Sequence, residues 1–149
     1  MAHLTALPQL SRTVGAMMLM AFAQGALAAD LVVTIGNIQD GSGQVLVGLF
    51  DSEAAFPKQA HQGRSVPAIQ RDADGSIKVS FAGLPSGTYA VSAIHDKDMN
   101  GKLTTNLLGM PTEPYGFTGP GRGTFGPPAF PDVSFRLPDG GAAVTIQIK

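Results

Sequence analysis

The sequence predicts an all-β fold, in which two antiparallel sheets of about seven strands pack together and one long ordered loop lies over them. Three observations predict it. Short runs of alternating apolar residues recur along the chain, clusters of glycine, proline and aspartate separate these runs, and no segment after residue 28 has a convincing helical period. Two such sheets bury their apolar faces against each other. A closed barrel has a similar strand pattern and is the alternative architecture.

Residues 1–28 have the pattern of a cleavable secretory signal peptide. Arg12 provides the positive charge before an apolar run over residues 13–27. The run ends in the small-residue pattern Ala26-Leu27-Ala28, which fits the narrow subsites of a signal peptidase. The alternative is an uncleaved membrane anchor, but the run is shorter than the roughly 20 apolar residues that a spanning helix needs. We therefore expect export, with Ala29 as the first mature residue.

The 121 residues that follow are enough for one domain with a modest core and too few for two. They carry nine Lys or Arg against eleven Asp or Glu, a net charge of −2, so no basic stripe is available to neutralise phosphates. Nucleic acid is therefore not an expected partner. The sequence has no cysteine, which excludes disulfides, thiolate metal sites and the lipid acceptor of a bacterial lipoprotein. We expect a soluble product, periplasmic or secreted.

Six strands are predicted from apolar residues at alternate positions. Their apolar faces are Leu31, Val33 and Ile35; Val45, Val47 and Leu49; Ile77, Val79 and Phe81; Tyr89, Val91, Ala93 and His95; Val133, Phe135 and Leu137; and Val144, Ile146 and Ile148. The first two runs flank a turn-rich segment at 39–43 and are predicted to pair as a β-hairpin. The strand count is that of an immunoglobulin-like sandwich.

Two further segments give weaker signals. Residues 65–71 carry Val66 and Ile69 and predict a seventh strand, but Pro67 cannot donate to a sheet and restricts this strand to an edge. Residues 52–56 predict a single helical turn, which the proline that follows would end.

Residues 106–131 break the regular spacing of the strands. They contain six glycines and six prolines, but also the aromatic residues Tyr115, Phe117, Phe125 and Phe130, which can anchor the segment. A long irregular loop is uncommon in a compact domain unless it is functional. We therefore predict an ordered loop over the sandwich and expect function there first.

The segment DKDMNGKL at 96–103 resembles the first half of a calcium-binding loop. Oxygen-bearing side chains alternate after a predicted strand, and glycine stands at the sixth position, where the loop must turn sharply. The expected cofactor is calcium, and the predicted metal residues are Asp96, Asp98, Asn100 and Lys102.

The second half of this calcium motif is missing. Its twelfth position needs a bidentate carboxylate, and Leu107 stands there. Asn106, Glu113 or backbone carbonyls could complete a shell if the long loop folds back. The alternative is a metal-free Asx turn, in which the carboxylates accept backbone N–H groups.

His95 directly precedes the calcium-like segment and suggests an enzymatic alternative. After residue 28 the chain has one other histidine, His61, and no pair of histidines at metal-ligand spacing. No G-x-S-x-G nucleophile motif occurs. We therefore expect His95 to be structural and assign no catalytic residue.

Several segments together resemble a known family. GLPSGTYAV at 83–91 resembles the signature of transthyretin-like and carboxypeptidase-regulatory-like sandwiches. More specifically, the chain is similar to the exported bacterial family DUF2141 at GQVLVGLFD (43–51), HDKDMNGKL (95–103), YGF (115–117) and FGPP (125–128). The resemblance implies an exported β-sandwich domain over residues 29–149, with no established activity and no catalytic residue.

These observations predict an exported, non-enzymatic module that binds or assists other components of the bacterial cell envelope and is stabilised by calcium. Its partner would be an envelope protein or a small ligand, and the mature chain would have no transmembrane segment. The alternative is a hydrolase or other enzyme with a site around His95 and the loop 106–131. A deep pocket in which His95 meets a second functional group would favour the enzyme. A third possibility is a structural accessory domain of a cell-envelope complex, which an exposed apolar patch formed by the aromatic loop would favour.

N-terminal sequencing of the exported protein tests the predicted cleavage. We expect the mature chain to start at Ala29, because the apolar run and the small-residue pattern end together at Ala28. An exported product that still begins with Met1 would contradict the signal-peptide assignment.

Overall fold

The all-β prediction is confirmed by the computed structural model, which describes residues 28–121, 123 and 126–149. Helical structure in these ranges is limited to a 3-10 helix, Ala68–Gln70, and to α1, a single turn at Phe130–Val133. The eight strands are β1 (Ala28–Gly36), β2 (Gln44–Phe50), β3 (Gln62–Pro67), β4 (Ile77–Pro85), β5 (Gly87–Asp96), β6 (Tyr115–Phe117), β7 (Phe135–Leu137) and β8 (Ala142–Gln147).

The first sheet has three strands in the order β4-β1-β8. β1 runs antiparallel to β4 but parallel to β8, with Leu31 opposite Ala142. The prediction of purely antiparallel sheets is therefore wrong for this pair. Parallel neighbours need a long connection, and most of the domain lies between β1 and β8. An alternating apolar pattern indicates a strand but carries no information on its direction.

The second sheet has the order β3-β2-β5-β6, and β7 also pairs with β5. β7 lies against residues 87–89 and β6 against residues 92–94, both antiparallel to β5. β5 therefore crosses the middle of the sheet. Its last residue, Asp96, reaches the end of the sheet opposite Gln44, the first residue of β2.

The two sheets pack face to face around one apolar core. Leu31, Val33 and Ile35 of β1 face this core, as do Val45 and Val47 of β2. Burial of each such side chain contributes about 1.5–3 kcal/mol. The alternating residues that predicted the strands are thus the residues that hold the sheets together.

The predicted hairpin of β1 and β2 is wrong, because the two strands lie in different sheets and face each other across the core. Asn37 has a left-handed backbone (φ 68°), and its side-chain amide donates to the Ile148 carbonyl at 2.7 Å. The connection thus leaves the first sheet at this point. A period of two is the same for strands that pair and for strands that face each other, so the pattern could not distinguish them.

The weaker secondary-structure predictions are confirmed in part. β3 is an edge strand and ends at Pro67, but Ile69 lies beyond it in the 3-10 helix and is exposed. A turn follows β2, where the Phe56 N–H donates to the Ser52 carbonyl at 3.2 Å. Val133, predicted in a strand, is instead the buried residue of α1.

The long loop 106–131 is anchored by its aromatic residues where the structure describes them. The rings of Phe117 and Phe130 contact the ring of Phe56 edge-on, at centroid distances of 5.5 and 5.8 Å. Such pairs add about 0.5–1.5 kcal/mol each beyond burial. Phe125 lies outside the described residues. The sequence missed β6 within this loop, because three residues are too few to establish a period.

The predicted signal peptide lies outside the described residues except for Ala28, the first residue of β1. Ala28 pairs with Pro85, and Ala29 with Leu84. No helix in the described part of the chain is long and apolar enough to cross a membrane. Cleavage, export and a domain over residues 29–149 stay predictions.

Candidate functional site

Two polar residues at the end of β5 form the base of the candidate site. His95 and Asp96 are both fully buried, although consecutive strand residues point to opposite faces. His95 follows Val91 and Ala93 on the core face. Asp96 is enclosed by the loop of residues 97–113, which begins where β5 ends.

The Asp96 carboxylate accepts three hydrogen bonds. They come from Gln44 Nε2 at 2.8 Å, from the Gly101 N–H at 2.9 Å and from the Asn100 N–H at 3.1 Å. Burial opposes ionisation of this group, but the hydrogen bonds outweigh burial and hold the pKa of the Asp96 carboxyl below its ordinary value. Asp96 is therefore a charged cap inside the loop.

Glu113 closes the same loop at its base. Its Oε1 accepts the N–H groups of Lys97 at 2.7 Å and of Asp98 at 3.3 Å, and its Oε2 accepts that of Thr104 at 3.0 Å. The residue is 8% exposed, so these bonds to a carboxylate are largely shielded from water. Glu113 thereby ties the start and the middle of the loop to its end.

Asp98 and Asn100 form consecutive Asx turns. Asp98 Oδ1 accepts the Asn100 N–H at 3.1 Å, and Asn100 Oδ1 accepts the Lys102 N–H at 3.0 Å. Asp98 Oδ2 also accepts from Asn100 Nδ2 at 2.9 Å and from the Thr104 hydroxyl at 2.8 Å. These are the hydrogen bonds expected of an Asx turn, which is the sequence-based alternative to a calcium site.

Three carboxylates lie close enough to share a cation. One oxygen from each of Asp96, Asp98 and Glu113 lies within 4.8 Å of the other two. Each carboxylate also has one oxygen that accepts a single hydrogen bond and keeps a free lone pair. Calcium takes about six to eight oxygen ligands, so this set fits part of a calcium shell.

The structure brings together two of the four predicted metal residues, Asp96 and Asp98, and adds Glu113 from the far end of the loop. Asn100 lies beside Asp98, but its side-chain oxygen is bonded to the Lys102 N–H. The Lys102 side chain is exposed.

Sequence reasoning missed two polar residues of the site and misplaced a third. Gln44 and Thr104 bond the carboxylates, but neither is part of the calcium-like pattern at 96–103. Strand register brings Gln44 to Asp96, and loop closure brings Thr104 to Glu113. Asn106, considered as a further ligand, instead accepts the N–H groups of Leu108 and Met110.

His95 is a fully buried polar residue at the end of β5. Its Nε2 lies 2.8 Å from the Ser42 carbonyl oxygen, so this nitrogen carries the proton and donates it. Nδ1 has no partner among the residues that the structure describes. The Asp40 carboxylate is 4.0 Å from Nε2. His95 therefore fastens the 39–43 turn to the end of β5.

A cleft of about 740 Å³ opens beside the acid-capped loop, which is the loop of residues 97–113 held by Asp96 and Glu113. The cleft lies between the β5–β6 side of the second sheet and residues 101–111. Ligand sites typically have volumes of about 300–1,000 Å³ and apolar walls with a few polar groups. Apolar side chains dominate this lining: Ile94, Leu103, Leu108, Met110, Phe117 and Pro127. His95 and the three carboxylates are not among the described lining residues.

A hydrogen-bonded turn at 106–110 forms the outer wall of the cleft. Asn106 Oδ1 accepts the N–H groups of Leu108 at 2.9 Å and of Met110 at 3.0 Å. Leu107 is nevertheless completely exposed and Leu108 is 86% exposed. Two adjacent leucines are therefore exposed to solvent on an ordered turn.

A family model described as an uncharacterized protein conserved in bacteria, DUF2141, matches residues 33–146, a range that includes the acid-capped loop and the cleft. The chain belongs to the DUF2141 family. No curated protein and no solved structure gives a significant match.

The first residue of the GQVLVGLFD segment (43–51), which resembles DUF2141, has to be glycine for a structural reason. Gly43 begins that segment and has a left-handed backbone with φ 66°. A Cβ at this position would collide with the Asp96 carbonyl oxygen. Only glycine therefore allows the 39–43 turn to approach the end of β5 this closely.

Replacing Asp96 with Asn should lower the free energy of unfolding at neutral pH by about 1–3 kcal/mol, because the new amide would face the Gln44 and Gly101 donors. The folded-state pKa of Asp96 is depressed, so its contribution is present above its unfolded pKa of about 3.9 and disappears as pH falls through the folded value. Denaturant unfolding of wild type and variant should therefore differ at neutral pH and converge in acid. The control is Asp139→Asn, an exposed turn residue. A difference that does not change with pH would contradict the assignment.

Replacing His95 with Ala should destabilise the fold by about 1–3 kcal/mol, because the Ser42 carbonyl loses its donor and the core loses a side chain. The matched control is His61→Ala, since the His61 side chain is exposed and its Nδ1 lies 3.2 Å from a surface carboxylate, that of Asp51. Thermal unfolding of both variants measures the difference. Equal melting temperatures for the two variants would contradict a structural role for His95.

Proposed function

We propose that this DUF2141 protein is an exported, non-enzymatic binding module of the bacterial cell envelope, periplasmic or secreted. The observation that carries the proposal is the apolar cleft, together with exposed Leu107 and Leu108 on the ordered turn beside it. Apolar side chains in such positions leave water only when another molecule covers them. A binding role accounts for both features. Export is supported by the signal-peptide pattern of residues 1–28.

The sandwich is proposed to be of the transthyretin-like type. The GLPSG segment at 83–87 lies where the chain passes from β4 in the first sheet to β5 in the second. The Tyr89 hydroxyl donates to the Pro85 carbonyl at 2.9 Å and fixes this passage. The segment that carries the resemblance thus has a defined role in joining the sheets.

The enzymatic alternative has weaker support. His95 is fully buried and its Nε2 is bonded to the Ser42 carbonyl. A general base must reach the proton that it removes, within about 3 Å of the donor atom. Among the described lining residues of the cleft there is no histidine and no carboxylate. These observations favour binding over catalysis.

Calcium is proposed as a weakly bound stabiliser of the acid-capped loop. Mutual repulsion of the Asp96, Asp98 and Glu113 carboxylates favours a cation among them, and each retains an acceptor position. Extracellular calcium modules have dissociation constants of roughly 10⁻⁴ to 10⁻³ M. Binding in that range would tighten the loop that forms one wall of the cleft.

Millimolar calcium should raise the melting temperature of the protein relative to chelator, because the ion binds the folded state better than the unfolded one. Asp98→Asn should abolish most of this shift without unfolding the protein, since Asp98 is exposed and lies beyond β5. The control variant Asp139→Asn should retain the full shift. Identical melting curves with calcium and with chelator would leave the loop as a metal-free Asx turn.

Copurification from native cell envelopes tests the binding role. The full chain should retain a specific ligand or partner, and the double variant Leu108→Ser/Met110→Ser should lose it, because both residues line the cleft. Ile69→Ser provides the matched control, since Ile69 is 72% exposed and does not line the cleft. The same copurifying species from all three proteins, or none from wild type, would contradict the proposal.

A further inference from the structure

In the described part of the cleft lining the charged residues are two lysines, Lys58 and Lys102, and both are exposed. The same lining contains apolar side chains, among them Ile94, Leu108 and Phe117. The site therefore combines an apolar interior with a cationic contribution to its rim.

Both lysines are available to a ligand. Neither forms an ion pair with a carboxylate in the described ranges, whereas Lys97 is paired with Asp40 at 2.8 Å. The carboxylates of Asp96, Asp98 and Glu113 are engaged by N–H and hydroxyl donors of their own loop and of β2. A lysine stem can lie along an apolar wall while its ammonium group stays in water at the edge.

We infer that the cleft binds a single-chain amphiphile with an anionic head group, its apolar chain along Ile94 and Phe117 and its head at Lys58 and Lys102. This inference rests on the proposed function as a binding module and names the ligand class. A carboxylate or a phosphate head satisfies the two ammonium groups equally well, because lysine recognises an anion as a point charge. The volume of about 740 Å³ is that of a small-ligand site.

Ligands of other chemistry match this lining less well. A neutral apolar molecule would leave the two cationic groups without a counter-charge, and a small polar anion would leave the apolar walls in water. A cationic amphiphile would be repelled by both lysines. The two lysines and the apolar walls together therefore favour an anionic amphiphile over these other ligands.

Titration calorimetry of the purified full chain with laurate, dodecyl phosphate and dodecyltrimethylammonium, each below its micellar concentration, tests the inference. These probes share one chain length and differ in the head group. We expect laurate and dodecyl phosphate to bind and the trimethylammonium probe not to bind. A preference between the two anions identifies a carboxylate or a phosphate as the natural head.

The variant Lys58→Gln/Lys102→Gln should weaken laurate binding by about fivefold, because exposed charge pairs are individually weak. Met110→Ser should also weaken laurate binding, because Met110 is part of the apolar lining that contacts the chain of the ligand. Lys78→Gln is the matched control, since Lys78 is exposed on β4 in the other sheet and should leave the affinity unchanged.

Equal binding of all three probes, unaffected by the lysine variant, would overturn the anionic head group. Failure of every probe to bind, while copurification still depends on Leu108 and Met110, would overturn the inference and leave the binding module intact. Recovery of a peptide in place of an amphiphile would also overturn the inference and leave the binding module intact. Loss of both probe binding and copurification would overturn the inference and the proposed function together.

Discussion

The Glu113 carboxylate bonds the backbone of the loop at two separate places, with one oxygen on the N–H groups of Lys97 and Asp98 and the other on that of Thr104. These bonds close the loop and help to offset the entropic cost of ordering it. The turn at 106–110 lies between Thr104 and Glu113, so its position follows from this closure. The wall of the cleft therefore depends on a carboxylate that does not itself line the cleft.

The second sheet holds the start of this loop in place. β5 is held by β2 on one side and by β6 and β7 on the other, so Asp96 leaves the sheet at a defined place. Gln44 and the backbone of Asn100 and Gly101 then compensate the buried charge. A rigid scaffold that positions a loop is the usual way in which β-sandwiches present variable binding surfaces. Here the loop presents apolar side chains that its own hydrogen bonds keep in place.

The strands and the calcium-like segment could be predicted from sequence because both depend on local spacing. Alternation located β4 and β5 closely, and the oxygen-bearing residues placed Asp96 and Asp98 together. The pairing of strands could not be predicted, since the same alternation fits side-by-side and face-to-face strands. Gln44 was missed because it reaches Asp96 from β2, 52 residues away along the chain. Thr104 was missed because it lies just outside the calcium-like pattern and meets Glu113 only when the loop closes. The cleft arises from that same tertiary closure and has no signature in the sequence.

Amide hydrogen exchange of wild type and of Glu113→Ala tests most directly whether this carboxylate organises the loop. We expect slow exchange at Lys97, Asp98 and Thr104 in the wild type, because these amides donate to Glu113. In the variant these amides should exchange like those of an open loop, while Ile94 in β5 keeps its protection. Rapid exchange at the three loop amides in the wild type, or unchanged protection in the variant, would contradict the account.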